Sequence, residues 1–329
     1  RLGWFGLSPC SRWLQDFVGT MERLNRIAKH VAAGGAPPPA LRPVQTAAAS
    51  PIMASLKSKI AALAQERSAL KAELLKAGET KLQDLTVEMC INGSRSIKTM
   101  VTETSDLDAN DGIFYRGRSL YDVNKILPKA PGGETGLPEA AFWLLLTGEV
   151  PSQAECQAFT EEIHRRSAVP AGVFKTIDSL PTSVHPMTQL ATSMLAMQGS
   201  STFTAKYNEG MKKNEYWEWA LEDAMDLVAR IPVVAAYIYR RTFKDGKVPA
   251  YDPKLDWAAN YAQMLGVNDD EKFKECTRLY LMLHADHEGG NVSAHATHLV
   301  GSALSDPYYA WAAGICGLAG PLHGLANQE

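Results

Sequence analysis

Two stretches near the end of the chain decide how the rest is read. They are Leu283-His-Ala-Asp-His-Glu-Gly-Gly-Asn-Val-Ser-Ala-His-Ala-Thr-His-Leu299 and Gly317-Leu-Ala-Gly-Pro-Leu-His-Gly-Leu-Ala-Asn-Gln-Glu329. Five of the eight histidines fall here, His284, His287, His295, His298 and His323. The second stretch sets His323 between Gly320-Pro321 and Gly324, with almost no other ionisable group around it. Burial in an apolar, glycine-flanked loop penalises the imidazolium. An uncharged ring there can donate a hydrogen bond to a developing oxyanion or enolate. A lone histidine in a turn is, by itself, more often a satisfied core residue. The upstream stretch shifts that reading.

The first stretch supports two chemistries. Histidines three apart share a helix face, so His284 with His287, or His295 with His298, could begin a metal site. Against it, the His-Glu-x-x-His pattern and a third-ligand cysteine pattern are both missing from the sequence. The alternative is an organic-acid site. There His287-Glu288-Gly289-Gly290-Asn291 forms a polar bend between two helices, its glycines exposing backbone amides to a small anion beside a helix N-terminus. His295 and His298 read as helix-packing histidines with satisfied nitrogens.

Composition narrows the classes. The chain has 329 residues, 46% hydrophobic and 21% charged, which is long enough for a large core. Its net charge of -3 provides no electrostatic footprint for nucleic acid or an anionic membrane. No apolar run reaches the ~18 residues of a membrane span. Five scattered cysteines without a C-x-x-C pair read as free thiols in a reducing compartment. Between Met21 and Ser50 the bases Arg23, Arg26, Lys29 and Arg42 face a single acid, Glu22, among Ala, Gly and Pro. That profile predicts a mitochondrial presequence over 1–50, with matrix localisation. Arg23-Leu24 with His30 offers a peroxisomal address as the alternative.

Residues 55–77 carry helical spacing at Leu56, Ile60, Leu63, Leu70 and Leu74, with Ser55 as a cap and Gly78 as a stop. Residues 84–104 read as strand, because Val87, Met89 and Ile91 alternate with polar residues before the turn signal Asn92-Gly93. A second turn is expected at Asp108-Ala-Asn-Asp-Gly112. Beyond it the pattern is helical: 119–127, 138–147, 152–167, 172–179, 187–198, 201–212, 215–242, 255–265, 269–285, 291–304 and 306–317. Pro138, Pro151, Pro186, Pro253 and Pro307 fall where a first helical turn accepts proline, while Pro232 lies inside a long helix and should kink it. The expected fold is mainly α with a small N-terminal β element.

The two stretches resemble citrate synthase of the eukaryotic mitochondrial type. The likeness extends upstream through Glu103-Thr-Ser, Arg116-Gly, Leu127-Pro-Lys, Leu137-Pro-Glu, Phe142-Trp-Leu-Leu, Leu180-Pro-Thr-Ser-Val-His-Pro-Met187, Tyr216-Trp-Glu and Glu222-Asp. The resemblance implies the family's large helical domain over 51–329, without its smaller domain. It implies a homodimer that condenses acetyl-CoA with oxaloacetate and water to citrate and CoA, with no metal and no cofactor, acetyl-CoA being a substrate. In those terms His323 is the imidazole that stabilises the enol of acetyl-CoA, and His287 binds oxaloacetate. Leu322 and Gly324 are main-chain neighbours of the thioester. Arg95 meets CoA phosphate, as does Lys213, where relatives carry arginine. Lysine keeps the charge there and loses the planar fork.

The resemblance further implies that the second imidazole, the catalytic carboxylate and the arginines clamping oxaloacetate lie beyond Glu329. The chain by itself is then expected to be inactive, or to act as a non-catalytic subunit beside a longer partner. Within the family, 2-methylcitrate synthase is the alternative activity.

Overall fold

The computed structural model describes residues 50–92, 97 and 100–324. The presequence expected over 1–50 therefore lies almost wholly outside the described residues, as do Arg95 and the final five residues.

The first helix, α1 (Pro51–Lys76), starts before the expected position. Pro51 takes the first helical position after Ser50, where its missing N–H costs nothing, so Ser55 is an internal residue and no cap. Only Ile52, Met53 and Leu56 of this helix are buried, and Leu70 and Leu74 are exposed. The apolar stripe is thus used at one end alone.

Among the described residues of 84–104, the expected strand does not form. Thr86 caps a short helix instead, α2 (Val87–Ile91), its hydroxyl accepting the Met89 N–H at 3.2 Å. Val87 and Ile91 are 76% and 77% exposed, so their alternation marks no buried face. The strands lie just after: β1 (Ser105–Asp108), β2 (Gly112–Tyr115) and β3 (Arg118–Ser119), an antiparallel sheet in sequence order. The expected turn joins β1 to β2. Asp108 folds back to accept the Asn110 and Asp111 N–H groups at 2.7 and 2.9 Å, and Gly112 takes φ 86°.

Eleven helices follow close to their expected positions: α3 (Leu120–Ile126), α4 (Pro138–Thr147), α5 (Gln153–Arg166), α6 (Ala171–Asp178), α7 (Pro186–Met197), α8 (Thr202–Asn208), α9 (Tyr216–Phe243), α10 (Trp257–Leu265), α11 (Glu271–Leu283), α12 (Val292–Ser302) and α13 (Pro307–Leu318). Pro138, Pro186 and Pro307 open their helices. Pro151 and Pro253 fall in the loops before α5 and α10 instead, because Ser152 and Asp256 take the capping positions. Pro232 is buried within α9, which runs through it as one element.

Long α9 packs against α5, α7, α8, α10 and α13. One core gathers Trp143, Phe159 and Met225 with the start of α1, and a second gathers Met194, Leu227, Val234 and Tyr308. A third sets Tyr115 of the sheet against Leu144 and Met282. Each such side chain contributes about 1.5–3 kcal/mol by leaving water. That third core ties the small sheet to the end of α11, where the histidine bend begins.

Candidate active site

The bend joins α11 to α12. His284 closes α11, its Nδ1 at 2.7 Å from the Tyr280 carbonyl and its ring stacked on Tyr280. The chain then turns through Asp286, His287 and Glu288, the last with φ 41°. A non-glycine residue in the left-handed region is held there by its surroundings. Asn291 caps α12 by accepting the Ala294 N–H at 2.8 Å. Its amide nitrogen donates to the His287 carbonyl at 2.8 Å and lies 3.3 Å from His287 Nδ1. With the amide donating to Nδ1, the neutral His287 ring keeps its proton on Nε2.

His323 reaches the same place from α13. The helix ends at Leu318, and the following turn is closed by the His323 N–H donating to Gly320 O at 3.0 Å. The half-buried ring places Nε2 at 3.0 Å from Ser293 Oγ, in the first turn of α12. That hydroxyl is also 2.7 Å from Asn291 Oδ1. His287, Asn291, Ser293 and His323 therefore form one hydrogen-bonded chain. The Ser293 hydroxyl has one proton and two acceptors in reach. While that proton goes to Asn291 Oδ1, a neutral His323 ring donates its Nε2–H to Ser293 Oγ. When the proton turns to His323 Nε2, the Asn291 link opens and the ring carries its own proton on Nδ1, the nitrogen turned from the serine.

Close packing of α12 on α13 makes this possible. A Cβ on Gly314 would collide with the Thr297 hydroxyl, and one on Gly317 would come within 3.1 Å of Val292 Cγ1. At Gly324 a Cβ would stand 2.6 Å from the Leu318 carbonyl oxygen, so glycine alone fits beside His323.

The other expected residues scatter. Leu322 projects into solvent, 89% exposed. Lys213 is exposed in the single turn before α9, and its ammonium has no ion pair among the described residues. His295 is half-buried and His298 exposed, and neither ring has a hydrogen bond to protein among the described residues. Among the described residues, no three His, Cys, Asp or Glu side chains are grouped to hold a metal ion. Cavities of about 390 Å³ (beside Phe174, Tyr237 and Tyr251) and about 320 Å³ (beside Arg67, Glu103 and Arg116) lie away from the two rings. The histidine chain lines an open bend.

Sequence reasoning missed Asn291 and Ser293 as partners of the two rings. The available signal was an Asn-x-Ser start to α12, which reads as ordinary helix capping.

A mainly helical protein with paired histidines at a helix–helix bend is thus defined by its own geometry. Residues 93–329 match the family "Citrate synthase, C-terminal domain". A protein of Glossina morsitans morsitans named "Probable citrate synthase, mitochondrial" is 52% identical over 277 residues, covering 84% of this chain and 59% of that protein. "Citrate synthase 4, mitochondrial" of Arabidopsis thaliana is 50% identical, covering 83% and 58%. Among solved structures, the citrate synthase of Pyrobaculum aerophilum superposes with a TM-score of 0.65 at 29% identity, covering 76% of this chain and 62% of that one. The chain belongs to the citrate synthase family. It spans between half and two thirds of the length of the relatives it matches.

Proposed function

We propose that this chain carries the enol-stabilising and keto-acid-binding part of an enzyme that condenses acetyl-CoA with oxaloacetate and water to citrate and CoA. The observation that carries the reading is the hydrogen-bonded chain joining His287 to His323. His323, with its proton on Nδ1, donates to the thioester oxygen as negative charge grows there during enolisation. His287, with its proton on Nε2, donates to oxaloacetate. Asn291 sets the tautomer of His287, and Ser293 sets that of His323 by turning its proton from Asn291 Oδ1 to His323 Nε2. Leu322 and Gly324 flank the thioester through the main chain, while Arg95 and Lys213 meet the CoA phosphates.

The base that removes the methyl proton is not assigned to Asp286 or Glu288, the acids of the bend. Acetyl-CoA enters as substrate, and the reaction needs no metal or other cofactor. The names of the mitochondrial relatives support the mitochondrion, and we place the enzyme in its matrix. None of those names supports the peroxisomal alternative. The protein acts as a homodimer, a reading supported by the exposed apolar residues Val292 and Leu299 along α12.

Thiol release from acetyl-CoA in the presence of oxaloacetate tests the activity, with the chain alone and extended to the length of its relatives. His323→Ala should lower kcat of the active form by about 10²–10³, the cost of losing one donor to a developing oxyanion. An undiminished rate would remove His323 from the chemistry.

A further inference from the structure

The bend that carries His287 is held from outside by the small sheet. The Glu288 N–H donates to Ser105 Oγ at 2.6 Å, at the residue whose φ is 41°. Ser105 is the single buried residue of β1 and is 3% exposed, although its hydroxyl is polar. A strand with three exposed positions and one buried serine contributes little apolar packing. Its buried hydroxyl instead satisfies an amide that the turned-back Glu288 backbone would otherwise leave without a partner.

Tyr115, at the end of β2 and fully buried, grips the other side. Its hydroxyl lies 3.1, 2.9 and 3.3 Å from the carbonyls of Met282, Leu283 and Asp286 and accepts the Asp286 N–H at 3.3 Å. Burial pushes its phenol up to about 12, so it stays a donor throughout the physiological range. β1 and β2 are paired with Ser105 opposite Tyr115. The two anchors therefore stand side by side and bracket the backbone on both sides of His287.

We infer that Ser105 and Tyr115 are positioning residues that hold the 286–288 backbone, and with it the His287 ring, in the geometry needed to bind the keto acid. The small sheet is then part of the site's framework. The link to the keto acid rests on the function proposed above, whereas the anchoring is a property of the backbone and can be measured by itself.

Amide hydrogen exchange on the full chain measures the anchoring. In Ser105→Ala the Glu288 amide should exchange about tenfold faster, in keeping with the loss of one hydrogen bond. Amides in the middle of α9 should be unchanged, and Ser105→Thr should restore protection. Tyr115→Phe, which removes only the hydroxyl, should release the Asp286 amide in the same way. Unchanged exchange in both variants, or equal acceleration throughout the chain, overturns the inference.

Steady-state kinetics of the chain extended to the length of its relatives measures the link. Both variants should raise KM for oxaloacetate about tenfold and leave KM for acetyl-CoA within twofold, with Ser105→Thr rescuing the first. A parallel rise in both constants contradicts a positioning role. If His287→Ala itself leaves KM for oxaloacetate unchanged, it is the proposed function that fails, and exchange at Asp286 and Glu288 still decides the anchoring.

Discussion

Ser293 donates one proton, yet two acceptors stand within reach of it, and this small ambiguity governs which nitrogen of His323 can act. Ser293→Ala removes the choice and should lower kcat about 3–10-fold, the effect of one lost positioning hydrogen bond, while Ser293→Thr keeps most of the rate. A kcat unchanged by Ser293→Ala would show that the tautomer is set elsewhere. A second residue with a measurable signature is Glu139, fully buried at the start of α4. Burial, and then the neighbouring Asp256 carboxylate, hold it above its ordinary value of 4.5. The folded state thus binds this proton more tightly than the unfolded chain. Its contribution to stability is fully present below 4.5 and is lost as pH rises through the higher folded value. Each unit of upward shift corresponds to about 1.4 kcal/mol. Asp223, pushed up to about 7 by burial, acts in the same direction. Glu139→Gln should therefore flatten the loss of thermal stability toward alkaline pH, and an unaltered slope in scanning calorimetry would contradict it. His287 and His323 were legible from residue type and glycine context. Asn291 and Ser293 were not, because a capping Asn followed by a Ser is how many helices begin.

Helices were the legible elements because many of them announce their own start. Asp256, Asp270, Asn291 and Asp306 all cap where an Asp or Asn precedes an apolar-periodic run. Over 84–92 the strand reading failed for a physical reason: alternation specifies a strand only where a partner and a core face exist, and Thr86 instead offered its hydroxyl to a helical turn. Nor could spacing reveal that β1 would bury a serine. One tertiary tie fixes the helix that leads into the histidine bend. Arg278 of α11 donates through two nitrogens to Asp256 Oδ2 at 3.0 and 2.7 Å, while Asp256 also caps α10. Arg278 is buried, and it holds Glu275 at 2.7 Å, which in turn accepts the Glu134 and Thr135 amides. Arg278→Ala leaves the half-buried Asp256 carboxylate without its cation and should cost about 3 kcal/mol. Chemical denaturation measures it; a loss below about 1 kcal/mol would place this pair among ordinary surface bridges.

Across the molecule, two of the three cores are built on α9 and the third ties the sheet to α11, while α12 keeps one apolar row in solvent, Val292 at 61% and Leu299 at 64% exposure. These two are seven residues apart and share a helix face. The proposed homodimer would cover that face. Sedimentation should find a dimer for the chain and a monomer for Leu299→Lys; a monomer for both would leave the row uncovered. The helical architecture was readable from proline and capping punctuation, whereas the approach of α12 to α13 depends on Gly314 and Gly317 meeting Thr297 and Val292, a contact that local spacing does not encode. That approach brings His323 to the bend, and the joining of its ring to His287 is what the function stands on. Nuclear magnetic resonance of the histidine rings during an oxaloacetate titration reads this joining. The His287 and His323 ring signals should shift together with one apparent Kd while His298, exposed farther along α12, stays still. Two independent responses, or none at either ring while His298 moves, would contradict a shared site.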